Sequence, residues 1–119
     1  MVQATQAGLW QNWLATHALP LWSGVGYNAP RRLYHERLTY AATPILLPEL
    51  RLMVQARQIA TFCRAQLDGT FQAAEDALLC LAEVQKRYWR CAGAPGWACS
   101  LAPEWTPAQT TLAPYANAF

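Results

Sequence analysis

Arg57 is the side chain whose setting most plainly invites chemistry. It falls inside a helical run, yet its i±3 and i±4 neighbours are Met53, Val54, Ala60 and Thr61, with no carboxylate among them. A guanidinium among apolar residues must find a distant acid, backbone carbonyls or a polar ligand, or else snorkel into solvent. Two other arginines have local partners: Arg64 has Asp68 at i+4 and Arg87 has Glu83 at i−4, both read as surface pairs. The two histidines are His17, on a tryptophan-rich stripe where a hydrogen-bonded core histidine is expected, and His35, read as a solvent-facing pair with Glu36. General acid–base work that moves a proton at a carbon wants two positioned proton carriers, one on each face. Nothing in the chain offers two such groups at that kind of spacing. Cys63, Cys80, Cys91 and Cys99 have no close C-x-x-C pairing, so no metal site is assigned, and they are expected to be reduced and mostly buried as small hydrophobes. There is no P-loop, dinucleotide fingerprint or G-x-S-x-G, and no cofactor is implied.

The elements that must position these residues follow from periodicity. Ala4 to Leu19 reads as a helix, with Trp10, Trp13, Leu14 and His17 as its stripe and Pro20 as its stop. Ser23 to Arg32 reads as a glycine- and proline-punctuated loop. Leu33 to Tyr40 reads as a short strand of a hairpin, and Thr43 to Pro48 as an extended connector. From Glu49 the helical pattern is strong. Leu52, Ala56, Ile59, Cys63 and Leu67 make one apolar stripe, closed by Asp68-Gly69. A third helix is predicted from Phe71 to Ala92, its buried face formed by Ala74, Ala77, Leu78, Leu81, Val84 and Tyr88, with Lys86, Arg87 and Arg90 against the negative end of its dipole. Gly93 to Pro107 is turn-rich, with Trp97 to Leu101 as a short strand. Thr110 to Phe119 reads as a connector entering a new helix that stops after one turn, which predicts a chain truncated at its C-terminus.

Bulk properties narrow the classes. In 119 residues there is room for one domain, and 54% hydrophobic against 13% charged residues describes a core-building chain rather than a disordered one. Six tryptophans hint at a lined cavity or an aromatic core. The net charge of +2 includes no basic stripe, so nucleic acid is not an expected partner. No apolar run approaches the ~20 residues that span a bilayer, and no charged n-region precedes Arg31, so a cytoplasmic protein without membrane contact is expected.

Four ordered blocks then resemble a known family. Leu19-Pro20-Leu21-Trp22, with the glycine-rich loop and Tyr34-His35-Glu36-Arg37-Leu38 after it, is similar to the opening signature of the N-acylglucosamine 2-epimerase family. Arg51-Leu52-Met53-Val54-Gln55-Ala56-Arg57-Gln58 is the most specific block. Pro95-Gly96-Trp97 with Ser100-Leu101, and Tyr115 with Ala118-Phe119, complete the order. The resemblance implies a mainly α fold, the N-terminal part of an (α/α)6 toroid of the six-hairpin glycosidase-like kind, with short β-hairpin pieces in its loops. Residues 1–119 would be a single partial domain holding the first helices of that barrel. It implies 1,2-proton transfer on a monosaccharide or disaccharide, as in sugar 2-epimerases and aldose–ketose isomerases, mannose isomerase and cellobiose 2-epimerase among them. The family's sugar-holding arginine falls on Arg57 as the catalytic candidate. Tyr115, Asn117 and Trp97 fall on substrate-contact positions. Asn117 stands where the family has histidine, and Arg31-Arg32-Leu33-Tyr34 stands in place of its Gly-Gly-Phe turn. The acid–base histidines of the family lie beyond Phe119, so the chain is expected to be inactive alone. Two other readings stand beside this one. The first is a non-enzymatic helical module that associates with itself or a partner through exposed apolar helix faces. The second is a vestigial carbohydrate binder using Trp22, Arg57, Trp97 and Tyr115.

Overall fold

The computed structural model describes residues 6–104, and over them the chain is mainly helical with small antiparallel strand pairs. Helix α1 (Gln6–Trp13) runs through a π-helical turn (Leu14–Ala18) into α2 (Leu19–Ser23). The hairpin β1 (Tyr27–Asn28) and β2 (Leu33–Tyr34) pairs Tyr27 with Tyr34 and Asn28 with Leu33. After an extended stretch, β3 (Leu50–Arg51) leads directly into α3 (Leu52–Leu67), which is followed by α4 (Ala74–Tyr88), a 3-10 turn (Cys91–Gly93) and β4 (Ser100–Leu101). β4 returns antiparallel to β3, so the segment after α4 closes back over the start of α3.

Pro20 does not end the first helix. Proline lacks an N–H and its ring clashes with the carbonyl four residues back. The wider turn before it, in which the Leu19 N–H bonds the Leu14 carbonyl, resets the ladder so that Pro20 falls at the start of a fresh α segment. The expected stripe of Trp10, Trp13 and Leu14 is exposed, and α1 buries none of its residues.

The core forms where the hairpin meets α3 and α4. Tyr34 stacks on Phe62 at 5.5 Å with its ring nearly parallel, Tyr27 leans on Tyr34 at 4.8 Å, and Leu33, Leu50, Ala77, Cys80, Val84 and Tyr88 complete the cluster. Two tyrosine hydroxyls find carbonyls: Tyr88 Oη donates to Leu50 O at 2.8 Å and Tyr27 Oη to Asp76 O at 3.3 Å. Gln55, fully buried in α3, acts as a third strand for the hairpin edge. Its Oε1 accepts from the Tyr34 N–H at 2.9 Å and its Nε2 donates to the Tyr34 carbonyl at 2.7 Å.

Several boundaries move from those read in the sequence. The strand expected at Leu33–Tyr40 is Leu33–Tyr34, and its partner lies inside the stretch read as a loop. The helix expected from Glu49 is preceded by β3, because Leu50 and Arg51 pair with β4. The third helix ends at Tyr88 rather than Ala92. Trp89 turns extended, Arg90 and Ala92 adopt left-handed φ, and the Arg90 N–H bonds Gly96 O at 2.8 Å. The Trp89–Trp97 ring contact at 5.1 Å shows what overrides the local helical preference there. The strand expected over Trp97–Leu101 is confined to Ser100–Leu101. Gly69 takes φ +75° directly after α3, with the Thr70 N–H on Ala65 O, the closing bond of a helix C-cap, as the Asp68-Gly69 pair anticipates. The helix expected to begin within Thr110–Phe119 lies outside the described residues.

Candidate functional site

Arg57 lies in the middle of α3 and is exposed, and among the described residues its side chain makes no hydrogen bond or ion pair. Of the destinations open to it in the sequence, solvent is the one it takes. The apolar stripe of the same helix does something the sequence reading did not anticipate. At 100° per residue, the residues α3 buries in the core, Gln55, Phe62 and Ala65, occupy a different face from Leu52, Ala56 and Ile59. Those three residues, with Ala60, Leu81, Val84 and Trp97, line an open groove of about 400 Å³. Leu67, at the end of the expected stripe, is exposed. α3 therefore buries one face, and on the flank beside it Leu52 and Ile59 still touch the core while Ala56 and Ala60 are exposed to the groove.

α4 shows the same division. Its core face is Ala77, Cys80, Val84 and Tyr88, while Leu78 and Leu81, expected inside, are exposed. Cys80 is buried, as expected of the cysteines, but was not placed on the predicted face of this helix. Its Sγ approaches Gln55 Oε1 at 3.4 Å, and burial raises its thiol to about 12. The far wall of the groove is set by the returning segment: the Ala98 N–H bonds Tyr88 O at 2.8 Å, and Trp97, about half exposed, stands against Trp89. No side chain that lines the groove can carry a proton.

A second cavity, about 470 Å³, is lined by Trp22, Glu36, Arg37, Leu38, Thr39, Tyr40 and Ile45. Glu36 and Arg37 also line a third, of about 400 Å³, with Leu47, Pro48, Glu49, Arg51 and Ser100. Between these two cavities the Glu36 carboxylate accepts from the Arg51 backbone N–H and from its Nε at 2.9 Å, with Nη2 at 2.8 Å. Ser100 Oγ donates to Glu49 Oε2 at 2.9 Å. Residues 36 and 51 sit in different elements, so no helical or strand spacing could have revealed this pair.

His35 is buried rather than solvent-facing, and it does not pair outward with Glu36, whose carboxylate turns to Arg51. Burial lowers the His35 imidazole to about 4, which keeps it neutral. His17 is exposed, not in the core, with its Nδ1 2.7 Å from Thr16 Oγ1. The Arg64–Asp68 pair is exposed at 3.6 Å, as expected of a surface pair. Arg87–Glu83 is largely withdrawn from solvent instead. Of the cysteines, Cys80 is buried, Cys63 and Cys91 are half-buried and Cys99 is exposed, so the expectation of mostly buried thiols holds fully only for Cys80.

Trp97 thus lines the apolar groove and Arg57 stands outside its lining. Trp22 belongs to a different cavity, so the described members of the carbohydrate platform do not converge on one site. Tyr115 and Asn117 lie outside the described residues. No helix among the described residues is long and apolar enough to cross a membrane. Comparison with protein-family models, with curated proteins and with solved structures finds no match.

Proposed function

We propose that this chain is the opening part of a sugar 2-epimerase or aldose–ketose isomerase built as an (α/α)6 toroid, and that it catalyses nothing alone. The observation that carries the reading is the flank of α3. A helix in a ring of helices packs against neighbours on more than one side, and α3 buries one face while the flank beside it, partly packed on the core, lines an open groove. The ordered sequence blocks of the family add to this, since the most specific of them spans the start of α3. Arg57, on the same helix and without a protein partner among the described residues, is left available for a ligand.

In the complete ring the chemistry is a proton shift between C1 and C2, or inversion at C2, through an enediolate. Arg57 would donate to the sugar oxygens and hold the negative charge that develops on them, a preorganised donor of the kind worth ~10²–10³ in rate. The proton carriers would come from histidines beyond Phe119. Without them the loss is at least ~10²–10⁴-fold for each group. The sugar class, an aldose, ketose or N-acylated hexosamine, rests on the resemblance.

The test is proton exchange at C2 in deuterated water, followed by NMR on mannose, glucose, N-acetylglucosamine and cellobiose. The 119-residue chain should show no exchange. The chain extended by the coding sequence downstream should exchange, and Arg57→Ala in it should lower kcat by ~10² or more. An extended protein that exchanges equally well with Arg57→Ala would remove Arg57 from the reaction, and one that never exchanges on any of these sugars would end the isomerase reading. The same open groove between α3 and α4 is also what the alternative of a helical association module would use.

A further inference from the structure

α3 begins without a side-chain cap, and its entry is instead tied at two points to residues that leave the β1–β2 hairpin. At Gln55 the buried amide takes both backbone groups of Tyr34, at 2.9 and 2.7 Å. At Arg51, the residue that enters the helix, the backbone N–H and the side chain both go to the Glu36 carboxylate, whose side chain is only 3% exposed. Tyr34 and Glu36 stand two residues apart, and Arg51 and Gln55 about one helical turn apart. One attachment would leave a pivot; two fix both the rotation of the helix about its axis and its slide along the hairpin. The Tyr34–Phe62 ring stack braces the same face two turns further on. Apolar contact is non-directional, however, whereas hydrogen bonds weaken steeply once they are turned off line. The clasp of Gln55 and Glu36 is therefore what sets the angle.

We propose that Gln55 and Glu36 are positioning residues for Arg57: their two-point clasp sets the rotation of α3 and so aims the Arg57 guanidinium at the sugar. The inference rests on the catalytic role proposed above for Arg57. The Arg57 side chain has no bond of its own among the described residues, so the helix backbone decides where it starts. At about 100° per residue Arg57 lies roughly 200° round the helix from Gln55. The pinned side faces the core and Arg57 faces outward. A turn of about 10° about the axis carries a side-chain tip ~6 Å out through about 1 Å. A misplacement of ~1 Å can cost ~10² in rate, so a loosened clasp harms the reaction well before the helix melts.

The test is a double-mutant cycle of Gln55→Met with Arg57→Ala, read by proton exchange at C2 in the chain extended by its downstream coding sequence. Gln55→Met keeps side-chain length and helix propensity while removing both bonds to Tyr34. With Arg57 in place it should lower kcat by ~10-fold or more and leave KM little changed. In the Arg57→Ala background it should lower kcat by less than about twofold, because no guanidinium is left to misplace. Glu36→Gln, at the other attachment, should show the same non-additivity, and it carries the test if Gln55→Met loses its helical circular dichroism. Equal losses in both backgrounds would mean that the clasp only holds the fold, and no loss in either would mean that α3 needs no clasp; each overturns the proposal. Exchange that is absent, or indifferent to Arg57→Ala, ends the role of Arg57 and the proposal with it. Additive losses beside an essential Arg57 end the proposal alone.

Discussion

At the scale of single residues, the strongest constraints come from buried polar groups. Gln55 satisfies both backbone groups of Tyr34 from inside the core. Gln55→Ala leaves a buried N–H and C=O without partners, and urea denaturation should show a loss of roughly 2–4 kcal/mol. Arg57→Ala, on an exposed position with no partner among the described residues, should change stability by no more than about 0.5 kcal/mol in the same assay. His35 gives stability a pH dependence with a definite sign. Its folded value is about 4 against 6.5 for an ordinary histidine, so between those limits the unfolded chain binds the extra proton. Stability should therefore be complete above pH ~6.5, fall as pH drops towards 4, and lose up to about 3 kcal/mol from this group. His35→Gln should flatten the slope between pH 6.5 and 5. An unchanged slope would show that His35 is not the group responsible.

At the scale of elements, two glycines separate backbone conformation from packing. Gly69 holds φ +75° with open space where a Cβ would stand, so Gly69→Ala should cost about 1 kcal/mol from conformation alone. Gly26 has an ordinary φ, but a Cβ there would lie 2.7 Å from the Trp22 backbone. Gly26→Ala should cost more, about 2–3 kcal/mol, because backbone cannot swing aside. Thermal denaturation of the pair ranks the two effects, and equal losses would refute the distinction. The Asp68-Gly69 stop was legible because a helix C-cap is local chemistry. The helical character of α3 and α4 was legible for the same kind of reason. Which face of each is buried was legible only in part. Leu52, Ile59 and Cys63 do pack against the core, and Ala77, Val84 and Tyr88 lie in it. Leu67, Leu78 and Leu81 are exposed, however, and the deepest positions of α3 are Gln55, Phe62 and Ala65, set by the hairpin and its aromatic stack. Periodicity also ranks a glutamine as polar and a cysteine as incidental, and so passes over Gln55 and Cys80 in the core. The end of α4 was hidden because the contact that bends the chain, Trp89 against Trp97, spans the turn and not one helical period.

At the scale of the whole molecule, the described residues extend 59 × 32 × 22 Å, with a hairpin-and-helix core and an apolar first helix that buries nothing from Gln6 to Trp13. Among the described residues, Leu9, Trp10 and Trp13 of α1 are exposed, as are Leu78, Leu81 and Trp97 beside α3 and α4. That Arg57 has no acid beside it on α3 was legible from its neighbours alone. The groove beside it was not, because it requires Trp97, forty residues later, to return to α3. The central claim is that α3 and α4 belong to a larger ring of helices, and the most direct measurement is to read the coding DNA past the Phe119 codon. The account predicts that it continues, in this frame or a shifted one, into further helix-pattern repeats that carry the acid–base histidines. Unrelated sequence directly after that codon would contradict it.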